Sequence, residues 1–325
     1  SGVATRPFDS IDAYRQSLEP LVYRTGNVMR PIFEKAQNIT HKVIYTDGEN
    51  ERVLRAIQDV VDQNYAHPLL IGEETAILQT IQRLGLRLVK DEHFEIIAPR
   101  GESVHDRIKY ACELINNGTA HAALTGPDGK LHKQLESIEL CAGKQYDDEH
   151  MAVMHLLLLE NGSYFIADTS IHEDPSAEEL AHITVMAAEE IKRFGMLPRA
   201  ALLSHSNFGN HPTKSSLKMA ETKKILTRIA PDLEVDGEMK GGMALNEGIR
   251  SKSGKSSLTG NANLLIMPNL DAANITYTML KNLANGISVG PIILGSKLPI
   301  HAITKTTTPR GIVNLTSLVS ASVKN

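Results

Sequence analysis

From Lys42 onward, short apolar segments alternate with amphipathic ones, and few patterns restrict a fold as much. Lys42-Val43-Ile44-Tyr45-Thr46 reads as a strand ending at Asp47-Gly48, and the stretch from about Glu51 to Gln63 reads as a helix. Pro68-Leu69-Leu70-Ile71-Gly72 is a second short strand, followed by a helix near Thr75 to Leu84. Phe94-Glu95-Ile96-Ile97-Ala98 and Ala122-Ala123-Leu124-Thr125-Gly126 supply two more strands. Strands this short and apolar, spaced by helices, must be covered on both faces. The pattern therefore predicts an α/β fold with a mostly parallel sheet. Upstream, helices are expected near Ile11 to Leu21 and near Met29 to Ala36, with Pro31 in the first turn of the second.

The middle of the chain changes rhythm. Ala152 to Leu159 and Tyr164 to Ala167 flank Asn161-Gly162, a hairpin signal that inserts an antiparallel pair. A helix then follows with Asp174 as its cap, Pro175 at its first position, Leu180, Ile183, Ala187 and Ile191 on one face, and Gly195 as its stop. Ala200 to Ser204 is a strand and Lys214 to Ile229 a helix ended by Pro231. Leu233-Glu234-Val235, Leu264 to Met267 and Val289 to Leu294 are further strands, and a helix near Ile312 to Val323 closes the chain. Two α/β lobes with mixed, mostly parallel sheets are expected.

Size and composition agree. A chain of 325 residues, 42% hydrophobic and 22% charged, suits about two domains with ordinary cores and excludes disordered or collagen-like structure. A net charge of −4 and a sequence pI near 6.4 give no basic field for nucleic acid. Cys112 and Cys141 are too few for a disulfide scaffold or a four-cysteine zinc site. The longest apolar stretch, around Met151 to Leu159, is interrupted by His155 and stopped by Glu160, far short of the roughly 20 residues of a spanning helix. No basic and apolar leader opens the chain. The expectation is a cytoplasmic protein with no membrane partner. Ser1 stands where an initiator Met would, so a processed or tagged chain, or one cut from something longer, is expected.

Several motifs fail on inspection. Ser253-Gly254-Lys255-Ser256 resembles the end of a P-loop, but Gly248 and Gly254 enclose five residues instead of four, and a helix precedes it rather than a strand. His150 and His155, on one strand at odd spacing, face opposite sides, and His205 and His211 share a loop with no clustered carboxylate, so no metal site is expected. No Gly-x-Gly-x-x-Gly follows a strand. The loop Ser204-His205-Ser206-Asn207-Phe208-Gly209-Asn210 is more informative, because hydroxyls and backbone N–H groups at a strand-to-helix turn suit an anion. An ordinary polar connection has the same composition, and spacing alone leaves the two open.

Five strings carry a resemblance. They are Phe165-Ile166-Ala167-Asp168-Thr169, Asp174 to Ala181, Ala201 to Gly209, Pro231 to Met239, and Met267-Pro268-Asn269-Leu270-Asp271-Ala272-Ala273-Asn274. With Gly290-Pro291-Ile292-Ile293-Leu294-Gly295, they resemble the phosphate acetyl/butyryltransferase family, most closely the phosphotransacetylase-like C-terminal domain of bacterial NADP-dependent malic enzymes. The Ser-His-Ser-Asn-Phe-Gly string and the opening Ser-Gly-Val-Ala-Thr-Arg-Pro are typical of that subgroup. The resemblance is dense over Tyr164 to Asn314 and thin from Arg100 to Tyr146.

The family implies two α/β lobes around a cleft that takes coenzyme A, and acyl transfer between coenzyme A and phosphate. It implies residues 1–40 as linker and helices, 41–148 plus 298–325 as lobe one, and 149–297 as lobe two. Active members carry a Ser-Arg pair and then an Asp that acts on the thiol. Here those places fall on Thr304, Lys305 and Gly311. Lysine loses the bidentate fork of arginine, and glycine removes a base worth about 10²–10⁴-fold. The arginine that active members carry in Ala122 to Gly143 is absent, and Lys130, Lys133 and Lys144 nearby read as solvated surface charge.

The resemblance thus implies a catalytically inert, regulatory domain of a malic enzyme that binds acetyl-CoA or CoA and mediates oligomerisation. The alternatives are a working phosphate acetyl/butyryltransferase and a purely structural oligomerisation module. The expected ligand contacts are Ser204, Ser206, Asn207, Asn269, Asn274, Thr304 and Lys305, with no catalytic residue and no metal. No cofactor is expected in this stretch; NADP and a divalent metal belong to the malic enzyme core, the expected partner in cis. A homodimer or larger assembly is expected.

Overall fold

The computed structural model describes residues 11–101, 103–145, 151–254 and 256–323, with side chains of the first helix from Thr25 onward. His150, Lys255 and the opening seven residues named above lie outside them. The chain runs α1 (Ile11–Asn38), β1 (Lys42–Tyr45), α2 (Glu51–Asp62), β2 (His67–Ile71), α3 (Glu74–Leu84), β3 (Glu95–Ile97), α4 (Val104–Asn116), β4 (Ala122–Thr125) and α5 (Leu131–Ala142). It continues with β5 (Ala152–Leu159), β6 (Gly162–Ala167), α6 (Ala177–Arg193), β7 (Arg199–Leu203), α7 (Lys214–Ile229), β8 (Glu234–Met239), α8 (Gly241–Ala244) and α9 (Glu247–Ser251). Then come β9 (Leu264–Ile266), α10 (Leu270–Leu283), β10 (Ile287–Leu294), β11 (Ile300–Ala302) and α11 (Pro309–Ser322).

The α/β expectation holds. Five parallel strands form one sheet in the order β11-β4-β1-β2-β3, and six form a mixed sheet in the order β10-β5-β6-β9-β7-β8. In the second sheet only β5 runs antiparallel to its neighbours β6 and β10, as the Asn161-Gly162 turn requires. The late strand β11 returns to the first sheet and pairs with β4, Ile300 opposite Ala123. Topology reverses between β1 and β4, so their C-terminal ends open a crevice where α/β sheets receive ligands.

One buried apolar cluster runs through both sheets, from Val43, Tyr45 and Leu70 through Leu315 and Leu318 to Phe165 and Leu202. α11 is buried along almost its whole length and packs against α1, α2 and β10. At this junction Arg193 donates to the Leu318 carbonyl at 3.3 Å, and the Ile293 N–H donates to His301 Nδ1 at 3.2 Å. Burial, with the charge of Arg193 nearby, pushes the His301 imidazole down to about 3, so it is neutral there.

Two local expectations are corrected. The two early helices are one, α1, with Pro31 in its interior rather than its first turn. Burying Met29, Ile32, Phe33 and Ala36 in the shared core outweighs the hydrogen bond that Pro31 cannot make. α6 is capped by Ser176, not Asp174: Ser176 Oγ accepts the Glu179 N–H at 3.1 Å while Glu179 accepts the Ser176 N–H at 2.7 Å. This reciprocal pair satisfies two helix-end donors, and Asp174 is left to pair with Lys218 at 2.5 Å.

Candidate functional site

The loop after β7 is fastened to the end of β8. Ser204 N–H donates to the Met239 carbonyl at 2.8 Å and Phe208 N–H to the Glu238 carbonyl at 2.9 Å. Gly209 N–H donates to Glu238 Oε1 at 2.7 Å, a charge-assisted bond to a buried carboxylate. Phe208 and Gly209 both take left-handed backbone, at φ 48° and 81°, which glycine alone adopts without cost. Ser206 is buried and its Oγ accepts the His211 N–H at 2.9 Å, and Asn207 Oδ1 accepts the Lys240 N–H at 2.8 Å. These two side chains therefore shape the loop from within, while Ser204 is half-buried beside His205. The rings of His205 and His211 stand edge to face, 5.1 Å apart, at the surface.

β8 is an edge strand that carries two inward acids, and each ties down a loop. Asp236 accepts from Gly237 N–H at 2.9 Å and Ser257 N–H at 2.7 Å, and pairs with Lys223. Burial alone would push its carboxyl up, but Lys223, the Ser257 and Gly237 N–H groups and the Ser256 hydroxyl hold it below the ordinary aspartate value. Gly237 admits no side chain, because a Cβ there would lie 2.6 Å from the Leu202 carbonyl oxygen. The segment read as a false P-loop is this loop leading into β9, with no helix after it.

Asn269 and Asn274 sit at the start of α10. Asn269 Oδ1 caps the helix through the Ala272 N–H at 2.9 Å, and Asn274 Nδ2 donates to the Thr169 carbonyl at 3.2 Å. Asn274 thereby touches the turn after β6, which is organised by Asp168. That buried carboxylate accepts the N–H groups of Val153, Ser170, Ile171 and His172 at 2.9–3.2 Å, and lies 2.7 Å from His172 Nδ1. Burial works against a charged His172, but the Asp168 carboxylate outweighs it and raises the imidazole above its ordinary value. His155 is buried under Tyr277, with ring centres 4.1 Å apart, and its Nδ1 lies 2.9 Å from Thr169 Oγ1. Desolvation, then Lys281, push it down to about 3.

Thr304 and Lys305 lie in the other lobe, between β11 and α11. Thr304 Oγ1 is 3.0 Å from Thr307 Oγ1, and the Lys305 carbonyl accepts from Arg52. The Lys305 side chain is exposed. Gly311 is the third residue of α11, its N–H held by Thr308 Oγ1 at 3.1 Å. Among the described residues no hydrogen bond or ion pair joins Thr304 or Lys305 to the loop of Ser204. Ser204, Ser206 and Asn207 share one loop, Asn269 and Asn274 share the start of α10, and Thr304 and Lys305 share the turn before α11. Lys133 and Lys144 pair with Glu136 and Glu139 at 2.8 and 3.2 Å, as solvated surface charge does.

Sequence reading missed a cluster at the reversal point of the first sheet. Asp47, 6% exposed at the end of β1, faces Arg107 at 3.0 Å, and burial pushes its carboxyl up to about 6 despite that guanidinium. The Gly126 N–H donates to Thr46 Oγ1 beside it at 3.1 Å. The signal was present in Asp47-Gly48 closing the first strand, but the partner Arg107 lies in the stretch of thinnest resemblance.

Comparison with known proteins places these features. The phosphate acetyl/butaryl transferase family profile matches residues 27–103 and 96–320. The chain is 40% identical to an NAD-dependent malic enzyme of Rhizobium meliloti (strain 1021), over 98% of this chain and 45% of that protein. It is 38% identical to an NADP-dependent malic enzyme of Escherichia coli (strain K12), over 98% of this chain and 46% of that protein. The chain thus spans less than half the length of these relatives. Among solved structures, the EutD phosphotransacetylase from Staphylococcus aureus superposes with a TM-score of 0.83 at 22% identity, covering 92% of this chain and 99% of that one. With both lobes matched and the malic enzymes so similar across its length, the chain belongs to the phosphate acetyl/butaryl transferase family.

Proposed function

We propose that this chain is a regulatory, catalytically inert member of its family that binds acetyl-CoA within a malic enzyme. The observation that carries the reading is Gly311. At the place where the family resemblance puts the thiol-directed acid, the third residue of α11 is a glycine whose only polar groups are in the backbone. The loop of Ser204 is meanwhile intact and anchored by Glu238. Retained binding features beside a missing base describe a sensor better than a turnover site. Acetyl-CoA would bias the arrangement of the two lobes, and through it the malic enzyme catalytic domain in cis, which oxidises malate with NAD or NADP.

Calorimetric titration of the 325-residue chain with acetyl-CoA tests this, with free CoA and acetyl phosphate as controls. The expected result is saturable micromolar binding, about −8 kcal/mol, with no phosphate-dependent loss of thioester. No binding at millimolar ligand overturns it and leaves a structural module. One observation favours a second reading, a working acyltransferase with a relocated base: a carboxyl pushed up to about 6, as Asp47 is, can exchange protons near neutral pH. Phosphate-dependent thioester loss that disappears in Asp47→Asn would establish it.

A further inference from the structure

The chain's only two cysteines, Cys112 and Cys141, meet in one pocket. Cys112 belongs to α4 and Cys141 to α5, helices that pack against each other beside the first sheet. Both helices connect parallel strands of that sheet, so they run in the same direction. At one point of their seam His105 Nδ1 lies 3.2 Å from Ser137 Oγ. Further along, the seam opens into a pocket of about 430 Å³ whose lining includes Lys109, Cys112, Glu113, Leu140 and Cys141. Cys112 is 2% exposed and belongs to the apolar cluster beneath the helices. Cys141 packs half-buried against the same cluster, next to Leu140, which stands 78% exposed. Both cysteines carry free thiols, and the loops described above use neither.

We infer that Cys112 and Cys141 form a reversible dithiol–disulfide couple, oxidised by exchange with a low-molecular-weight disulfide, and that the bond shifts the crevice residues carried by α4 and α5. Facing Cα atoms on helices packed about 8–10 Å apart fall within about 4–6 Å of each other, the span of a disulfide. Exposure sets the order of attack. The Cys141 sulfur, nearer the surface, attacks one sulfur of the small disulfide R–S–S–R; a Cys141–S–S–R bond forms, and the leaving thiolate takes up the Cys141 proton. Cys112 then attacks the Cys141 sulfur, and the second small thiolate leaves with the Cys112 proton. Two cysteine thiols are oxidised to one disulfide, and one small disulfide is reduced to two thiols. Burial, with Cys141 and Glu113 adding to it, pushes the Cys112 thiol up to about 12. Burial also pushes Cys141 up, against the opposing charge of Lys109. Both stay protonated near neutral pH, so exchange is slow and over-oxidation is resisted. The same helices reach the crevice with their N-terminal ends. Arg107 pairs with Asp47 at 3.0 Å, and Gln134 donates to the Ile303 carbonyl at 3.3 Å while accepting from Thr125 Oγ1 at 2.9 Å. The cysteines sit about 8 and 11 Å further along the two axes. A disulfide holds its sulfurs about 2.05 Å apart, closer than any non-bonded contact, so forming it draws the helices together and moves their crevice ends.

The couple itself does not rest on the proposed function; only a change in acetyl-CoA affinity would. The test equilibrates the 325-residue chain for hours with mixtures of reduced and oxidised glutathione, then quenches it with acid, alkylates it and maps it by mass spectrometry. Both thiols are expected to disappear together into one intramolecular disulfide, and dithiothreitol should restore both. Cys112→Ser should stop at a mixed disulfide on Cys141, and Cys141→Ser should leave Cys112 reduced. Thermal melts check that each variant is folded, and Cys112→Ala replaces the serine variant where it is not. Hydrogen exchange at the Gly126 and Ile303 amides should differ about tenfold between oxidised and reduced wild type, and not at all in Cys141→Ser. Thiols that both stay alkylatable in excess oxidised glutathione overturn the inference. So does a wild-type chain that stops at the mixed disulfide or crosslinks only between chains. A disulfide that leaves exchange at Gly126 and Ile303 unchanged overturns its link to the crevice. If neither redox form binds acetyl-CoA, the sensor reading falls, and the alkylation map still decides the disulfide.

Discussion

Asp47 is an acid held in an environment that prefers it neutral. Its carboxyl is pushed up to about 6 by burial, against an unfolded value near 3.8, so the folded chain binds the extra proton between those two pH values. The sign follows: the stabilising contribution is full below about pH 4 and is lost as pH rises through about 6. Asp47→Asn should therefore gain on the wild type as pH is raised, by about 2–3 kcal/mol at pH 8 relative to pH 4, read from urea midpoints at several pH values. A difference independent of pH would show that Asp47 is not the titrating group. Gly311 makes the opposite kind of prediction. Gly311→Asp adds an acid to the first turn of α11, where the helix dipole favours it by about 0.3–1 kcal/mol, and its Cβ meets Thr307 Cγ2 at 3.0 Å. It is expected to leave acyl transfer undetectable in a thiol-release assay, since Lys305 still stands where the family has arginine. Robust turnover in that single variant would end the inert reading.

The site was only half legible for a reason visible in these residues. Ser204, Ser206 and Asn207 are contiguous, so a string of seven residues showed them. Asp47 and Arg107 are sixty positions apart, and only the reversal of strand order brings them together. Asn269 was noticed as a ligand contact, yet its Oδ1 is engaged as a helix cap, a use that the same residue type serves equally well.

Elements were easier to read than residues. Strands β1, β2, β4 and β5 and the span of α7 fall where apolar periodicity put them, because burial on both faces leaves an unbroken run that little else produces. Errors arose where two local rules competed. Asp174-Pro175 and Ser176 to Glu179 both resemble helix starts, and the reciprocal bonds of Ser176 and Glu179 decide between them. Ser176→Ala should then cost about 1 kcal/mol, and Asp174→Ala, which loses its pairs with Lys218 and Lys214 but no helix cap, should cost less in paired thermal melts. Equal losses would show that the cap has been misassigned. α1 was split because Pro31 argues locally for a helix start, whereas packing of its neighbours against α11 keeps the helix whole.

At the scale of the molecule, one apolar core serves both sheets, so the lobes should not melt independently. Leu318 is fully buried in that core on α11. Leu318→Ala is expected to cost about 2–5 kcal/mol and to lower hydrogen-exchange protection in β1 and β6 alike. Loss confined to the first sheet would mean two cooperative units.

Connectivity has a consequence in time as well. β4 is left with an open edge when it leaves the ribosome, because its neighbour β11 is encoded about 175 residues later. At roughly 5–20 residues per second, translation keeps that edge waiting for about 9–35 s, with the α11 side of the core uncovered as well. A nascent chain of this topology cannot complete its first lobe while its second is still being made. Its vulnerability to aggregation therefore lies in the cell's rate of elongation, not in the stability of the finished fold.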